Sequence, residues 1–346
     1  MLSLRKGKVV EIERAASGVR GIERLVVEID GSNRPAYADI ALVGGCVVGD
    51  EVVVNSEAID LKLGSGGSDV VLVNLTRGLE GRGDASRHVM KLNYSPLQHG
   101  VDPVETEDLR LPVGKPIAVF QLHGQLAPVA WATAQAREGL KVGYVQTGGG
   151  ALPGALSSTV AELRSRQLLC DHLTAAPAYG GEGEAMTTIG ALHAGLTSRG
   201  WDCAIAGPGP GIIGSATALG HGGMVALDTA HAAIALGCET VLVARASSGD
   251  PRERHQGISH HTRTVLKLLL DRVTVGLGPG APRVDELGRH EVVDLAPDVD
   301  GYARSGLPAR TMGRALADDR LFFEQALAGG MALAKAVLDD GYRVEN

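Results

Sequence analysis

The chain has 346 residues, with 44% hydrophobic side chains, 48 Gly and only 3% aromatics, which is enough for a sizeable core and for two domains. Its formal charge of −7 comes without a block of like charges, which argues against nonspecific binding to nucleic acid or to an acidic membrane surface. No apolar run near Met1 suits a signal peptide or a bilayer span, and Cys46, Cys170, Cys203 and Cys238 are scattered without a Cys-x-x-Cys pair, so the expectation is a cytoplasmic protein with neither a disulfide framework nor structural zinc.

Residues 8–13, 23–29, 37–42, 51–54 and 70–73 alternate or are β-branched, with Asp30-Gly31 and Gly49-Asp50 as turns between them. This spacing predicts a meander that closes into a small all-β, barrel-like module over residues 1–77. Residues 78–113 read as a connector, because Gly81-Arg82-Gly83-Asp84, Ser95-Pro96 and the acidic Glu105, Glu107 and Asp108 signal irregular chain, with one short strand near 88–92. From Lys115 onward the pattern becomes apolar strand, glycine-rich loop, helix, with strands at 117–122, 142–146, 203–206, 240–244 and 273–275. That grammar predicts a mostly parallel, Gly-rich α/β domain over residues 114–346, its sheet covered on both faces. Residues 321–338 predict a C-terminal helix on the outside, whose apolar residues from Phe322 to Leu338 would be buried in a symmetric homo-oligomer.

Ligands of such sheets bind beyond the carboxyl ends of the strands. After the strand at 203–206 comes Gly207-Pro208-Gly209-Pro210-Gly211-Ile212-Ile213-Gly214, in which Gly209, Gly211 and Gly214 fit Gly-x-Gly-x-x-Gly and leave backbone amides open to an anion. The context is poor for a dinucleotide: prolines occupy the loop, Gly220-His221-Gly222-Gly223 interrupts the expected helix, and Arg245 stands near the end of the next strand in place of an acid. An anion cradle and glycines required for tight strand–helix packing are the competing readings, with a dinucleotide-binding oxidoreductase as the lesser alternative. The loops around Gly149 and at Gly180-Gly181-Glu182-Gly183-Glu184 are expected to join the same edge and form a cleft. Glu182 is the candidate partnering carboxylate, unless it is merely solvated.

The stretch from Arg245 to Thr262 is the richest in chemistry, with Asp250, Arg252, Arg254, His255, His260 and His261 following a buried strand. Ser259 is placed to cap a helix carrying Leu266, Leu268, Leu269 and Leu270, which sets His260 and His261 in its first turn. A helix N-terminus disfavours imidazolium, so these histidines are expected to be neutral at pH 7, fit to ligate a metal or act as a base, while Arg252, Arg254 and the first-turn amides hold an anion. Adjacent helical positions diverge by about 100 degrees, so both rings need not face one ligand. The plainer alternative is a salt-bridged surface loop. His123, in Leu122-His123-Gly124-Gln125-Leu126, and His221 are lesser candidates.

The chain resembles an uncharacterised bacterial, largely actinobacterial, family classed only as a domain of unknown function. The resemblance rests on Gly49-Asp50 with the run 61–67, on 122–129, on 207–214, on Asp250-Pro251-Arg252-Glu253-Arg254-His255 with Gly257-Ile258-Ser259-His260-His261-Thr262, and on Thr311-Met312-Gly313-Arg314. It implies the same domain arrangement and no particular activity. It also implies an acidic residue in the loops at 148–150 and near Gly183, where this chain has glycine, so no metal ligands are assigned. No cofactor is identified. The expectation is a ligand-binding and in its fullest form catalytic α/β protein, acting on a small anionic or phosphorylated metabolite, with Arg252, Arg254 and the loops of Gly149, Gly181, Gly207, Gly209, Gly211 and Gly214 binding the anion. His255, His260 or His261 would move a proton with Glu182 as partner. The alternative from another class is a noncatalytic oligomerising or regulatory interaction module.

Overall fold

The computed structural model describes residues 2–13, 21–61, 67–81, 86–135 and 138–344. Residues 62–66 of the motif shared with the family and 82–84 of the connector lie outside the described residues. The chain divides into one unit at Met1–Asp102 and another at Pro103–Asn346. The division falls inside the stretch read as a connector, and the short antiparallel pair Met90–Lys91 with His99–Gly100 belongs to the first unit.

In the first unit, β1 (Leu4–Glu13), β2 (Ile22–Ile29), β3 (Ser32–Asp39), β4 (Glu51–Asn55) and β5 (Asp69–Asn74) close into a barrel of order β1-β2-β3-β5-β4. The expected barrel is present, but it is not a meander. β5 inserts between β3 and β4 and runs parallel to β3, with Ala36 opposite Asp69 and Tyr37 opposite Val70. This is a Greek-key closure of the kind found in OB-type barrels. Residues 40–42, expected to extend the third strand, turn instead into the short helix Ile40–Val43, because the Asp39 carboxylate accepts the Ala41 N–H as an N-cap. Alternation sends Val9, Leu25, Val27, Val52 and Val54 into the barrel interior at 1% exposure or less.

The second unit is built on eight parallel strands: β6 (Ile117–Val119), β7 (Val142–Thr147), β8 (Asp171–Ala175), β9 (Gly183–Ala185), β10 (Cys203–Pro208), β11 (Thr240–Leu242), β12 (Thr274–Leu277) and β13 (Glu291–Asp294). Their order across the sheet is β9-β8-β7-β10-β6-β11-β12-β13. The connecting helices are α1 (Leu126–Ala134), α2 (Ser158–Ser165), α3 (Thr188–Leu196), α4 (Val225–Ala235) and α5 (His260–Leu268), and α6 (Arg320–Val344) comes last. The central strands feed both faces. Ala118 and Phe120 join one core with α1, α2 and α6, while Ile117 and Val119 join the other with α3, α4 and α5.

α6 is not an outer helix. Phe322, Phe323, Ala326, Leu327 and Leu333 are at most 1% exposed, and Gly330 lies so close to α1 that a Cβ there would sit 2.5 Å from the Val129 carbonyl oxygen. The apolar face from which a homo-oligomer is expected is therefore largely spent inside the unit. The stretch Arg320–Asp339 is long and apolar enough to cross a membrane, with a mean hydropathy of 1.3, but 72% of it is buried within the fold, which is how a core helix packs.

Candidate functional site

β10, β6 and β11 lie side by side in the middle of the sheet. The helix after β6 packs on one face and the helix after β11 on the other. Neighbouring strands whose connections leave to opposite faces open a crevice at their carboxyl ends. Gln121 enters it just beyond β6, His221 from the long β10 loop, and Arg245 with its following segment from β11.

Beyond Arg245, Ala246–Ser247 pairs antiparallel with Gly257–Ile258, so the residues between them form a hairpin loop that leads straight into α5. Ser259 caps α5 as its position predicts, its Oγ accepting from the His261 N–H at 3.3 Å and lying 2.8 Å from His255 Nδ1. The rings of His260 and His261 do not diverge into separate environments. Their centroids are 4.3 Å apart, and His255 lies 4.9 and 5.0 Å from them. His221 stacks on His261 at 3.3 Å. Although no metal ligands are assigned from sequence, one ring nitrogen from each of His255, His260 and His261 lies within 4.8 Å of the others.

Burial dominates the electrostatics of this cluster. It pushes the imidazole of His221 down to about 4 and that of His255 to about 3, and it lowers His260 and His261, with the nearby guanidinium groups adding to the effect. All these rings are neutral at pH 7, as expected from their place in the chain. The Nε2 of His260 and the Nε2 of Gln121 are buried without a hydrogen-bond partner.

Arg245 is the centre of the arrangement, although it ranks only as a subsidiary candidate in the sequence. It is 4% exposed. Its backbone N–H donates to Thr262 Oγ1 at 2.8 Å, and Thr262 donates to Gln121 Oε1 at 2.7 Å, which ties together the chain leaving β6, the chain leaving β11 and α5. The guanidinium donates through Nη1 to His261 Nδ1 at 2.6 Å and touches Met312 Sδ at 3.5 Å, while Nε has no partner. No ion pair to Arg245 forms among the described residues, and burial lowers its pKa to about 10. Asp250 and Asp319 are near enough to act on it but are bonded to Arg252 and Arg314, so no carboxylate among the described residues touches this buried cation, which an anion would complete.

The remaining arginines divide. Arg252 is not held ready for a ligand, because Nε and Nη2 donate to both oxygens of fully buried Asp250 at 2.8 and 2.7 Å. Arg314, outside the candidate set, donates to buried Asp319 at 2.9 Å. Asp319 also accepts from Ser247 Oγ at 2.6 Å and from the Ser248 N–H at 2.9 Å, so these two carboxylates hold the hairpin loop rather than react. Nothing in the sequence around Asp319 announces this role, since it acts across 72 residues. Arg254 is exposed, has no ion pair among the described residues, and lines with Arg245, Arg252, His221, His255 and His261 a cavity of about 120 Å³.

Other candidates are elsewhere or do other work. Glu182 precedes β9, and its N–H donates to the His172 carbonyl near the start of β8 while its carboxylate pairs with Arg164 at 2.9 Å. The loop of Gly181 runs back along β8 to the amino end of the sheet, so Glu182 does not partner the histidines. His123 is hydrogen-bonded through Nε2 to Ser157 at 2.8 Å and does not line the cavity. Among the glycines, Gly207 is pressed on the Phe120 ring, Gly209 on the Gln146 side chain, and Gly149 on Gly222. Gly214 reaches the cavity, but against His221, where an added Cβ would sit 2.5 Å from that residue's Cβ. These glycines pack loops tightly and so deliver His221 onto His261. They are not a phosphate cradle at a helix N-terminus, because α4 begins only at Val225.

A larger cleft of about 330 Å³ lies between Val104, Leu109, Ile189 and Leu236. In it Glu105 Oε1 accepts the Met186 and Thr187 N–H groups while Oε2 is buried without a partner, and His193 Nε2 accepts the N–H of Arg110. Three histidines and three arginines line the smaller cavity. The model of one family, described as "Protein of unknown function (DUF3866)", matches residues 35–330. No curated protein and no solved structure matches the chain.

Proposed function

Since the chain belongs to the DUF3866 family, for which no activity is described, we propose from the site itself that the α/β unit binds a small anionic or phosphorylated metabolite on Arg245 and acts on it through the neighbouring histidines. One observation carries the reading: the Arg245 guanidinium is buried, lacks a carboxylate and keeps Nε unbonded beside the cavity. An anion there supplies the missing counter-charge, and Arg254 adds a second cation at the mouth. A cavity of about 120 Å³ suits a phosphoryl or carboxylate group and is small for a dinucleotide, whose sites run to several hundred Å³. The same reading places the protein in the cytoplasm, which the absence of any disulfide among Cys46, Cys170, Cys203 and Cys238 supports.

The test is thermal unfolding in buffer with EDTA, with phosphate compared against chloride at equal ionic strength. At saturating phosphate the wild type should gain roughly 5–10 °C, and Arg245→Gln should lose that gain. Equal shifts in both proteins, or none beyond the chloride control, would overturn the reading.

A further inference from the structure

We propose that His255, His260 and His261 form a site for a divalent transition-metal ion, zinc being the best match to three imidazoles. The chemistry of the donors supports it. Each ring offers one nitrogen, all within 4.8 Å of one another. A Zn–N distance of about 2.0–2.1 Å puts tetrahedral ligands about 3.4 Å apart, so ring shifts of about 1 Å or less close the site. The supporting contacts also fit. His255 Nδ1 is hydrogen-bonded to Ser259 Oγ at 2.8 Å, the kind of outer contact that fixes the tautomer and aims the other nitrogen at a metal. Independently, His260 Nε2 is buried without any partner. Buried polar atoms are nearly always satisfied, and this one belongs to the triad itself.

His261 decides the proton balance. Arg245 only donates, so His261 Nδ1 accepts from it and Nε2 carries the ring proton. Metal binding at Nε2 moves that proton to Nδ1, which can then no longer accept from Arg245, and binding at Nδ1 takes the place of the Arg245 hydrogen bond, so either mode gives up that contact. Arg245 and the α5 N-terminus both repel a cation, so the affinity expected is micromolar rather than the far tighter binding of closed structural zinc sites. Three protein ligands also leave a coordination position open, the arrangement of catalytic rather than structural zinc.

The experiment uses the full chain, stripped with EDTA, dialysed and kept free of phosphate, so that its outcome does not depend on the anion reading. Titration with Zn²⁺ alone should show uptake of about one ion per chain, and Co²⁺ should give the intense visible bands of a low-coordinate nitrogen site. His260→Asn, close in volume, should bind Zn²⁺ at least ~10-fold more weakly. Cobalt showing only the weak spectrum of its aqua ion in the wild type overturns the proposal whatever the variant does. So does a folded His260→Asn protein that binds zinc as tightly as the wild type.

Discussion

Gly149 and Gly222 are packed backbone against backbone, so that a Cβ on either would collide with the carbonyl oxygen of the other. This contact joins the loop after β7 to the loop that carries His221. Gly149 additionally has φ +91°, where an L side chain is strained. Gly149→Ala should therefore cost about 2–4 kcal/mol in urea unfolding and displace His221 from His261. A loss below about 0.5 kcal/mol would show that the loops separate without penalty.

Asp319 accepts the Ser247 hydroxyl, the Ser248 N–H and the Arg314 guanidinium while wholly buried. Asp319→Asn should destabilise the protein by about 2 kcal/mol, because the contacts to Ser247 and Ser248 are weakened and half-buried Arg314 keeps only its longer pairing with Asp250 at 3.4 Å. It should also loosen residues 247–256, seen as faster amide exchange there than in β10. Unchanged exchange in that loop would count against its role as the anchor.

Arg245 leads to the opposite expectation. A charge kept in the interior for a ligand weakens the empty fold, so Arg245→Met should leave unliganded stability equal to the wild type or raise it by about 1 kcal/mol. Chemical denaturation without phosphate decides the point, and a loss of several kcal/mol would make Arg245 a structural residue.

Acid stability should follow His172, which is 3% exposed and stacked on Tyr144 with ring centroids 5.1 Å apart. Burial holds its imidazole near 3 in the folded state, against an ordinary 6.5. The unfolded chain thus takes up a proton below pH 6.5 that the folded chain refuses. The contribution is complete above pH 6.5 and is lost as the pH falls toward 3, at up to about 1.4 kcal/mol per pH unit. His172→Phe, which keeps the stacking and removes the proton site, should flatten the slope of stability between pH 6 and 4.5 by about one proton. An unchanged slope would mean that the ring is hydrated in the native state.

Much of the architecture is legible locally. The barrel strands show their alternation, and β6, β7, β10, β11 and β12 stand out as apolar runs. β8 was not legible, because its Asp171-His172-Leu173-Thr174-Ala175 carries polar residues whose partners, such as Arg199 and Trp201 on Asp171, are remote. The site shows the same limit. Ser259 announces its cap, and the histidines their neutrality. Strand order is a nonlocal property, and it alone brings Gln121 and His221 to Arg245 while leaving Glu182 at the other end of β8. The Gly207 loop reads as an anion motif because backbone exposure and close packing call for the same residue.

The burial of α6 bears on how the second unit is made. Every strand of the sheet precedes it in the chain, yet Phe322, Phe323, Ala326 and Leu327 fill the core on the face that α1 shares. During synthesis that face is covered only by α1 and α2 until α6 leaves the ribosome, while the barrel and the face of α3, α4 and α5 have their own residues already at hand. The nascent protein thus passes through a stage with an open apolar surface. Its closure waits on the last helix of the unit.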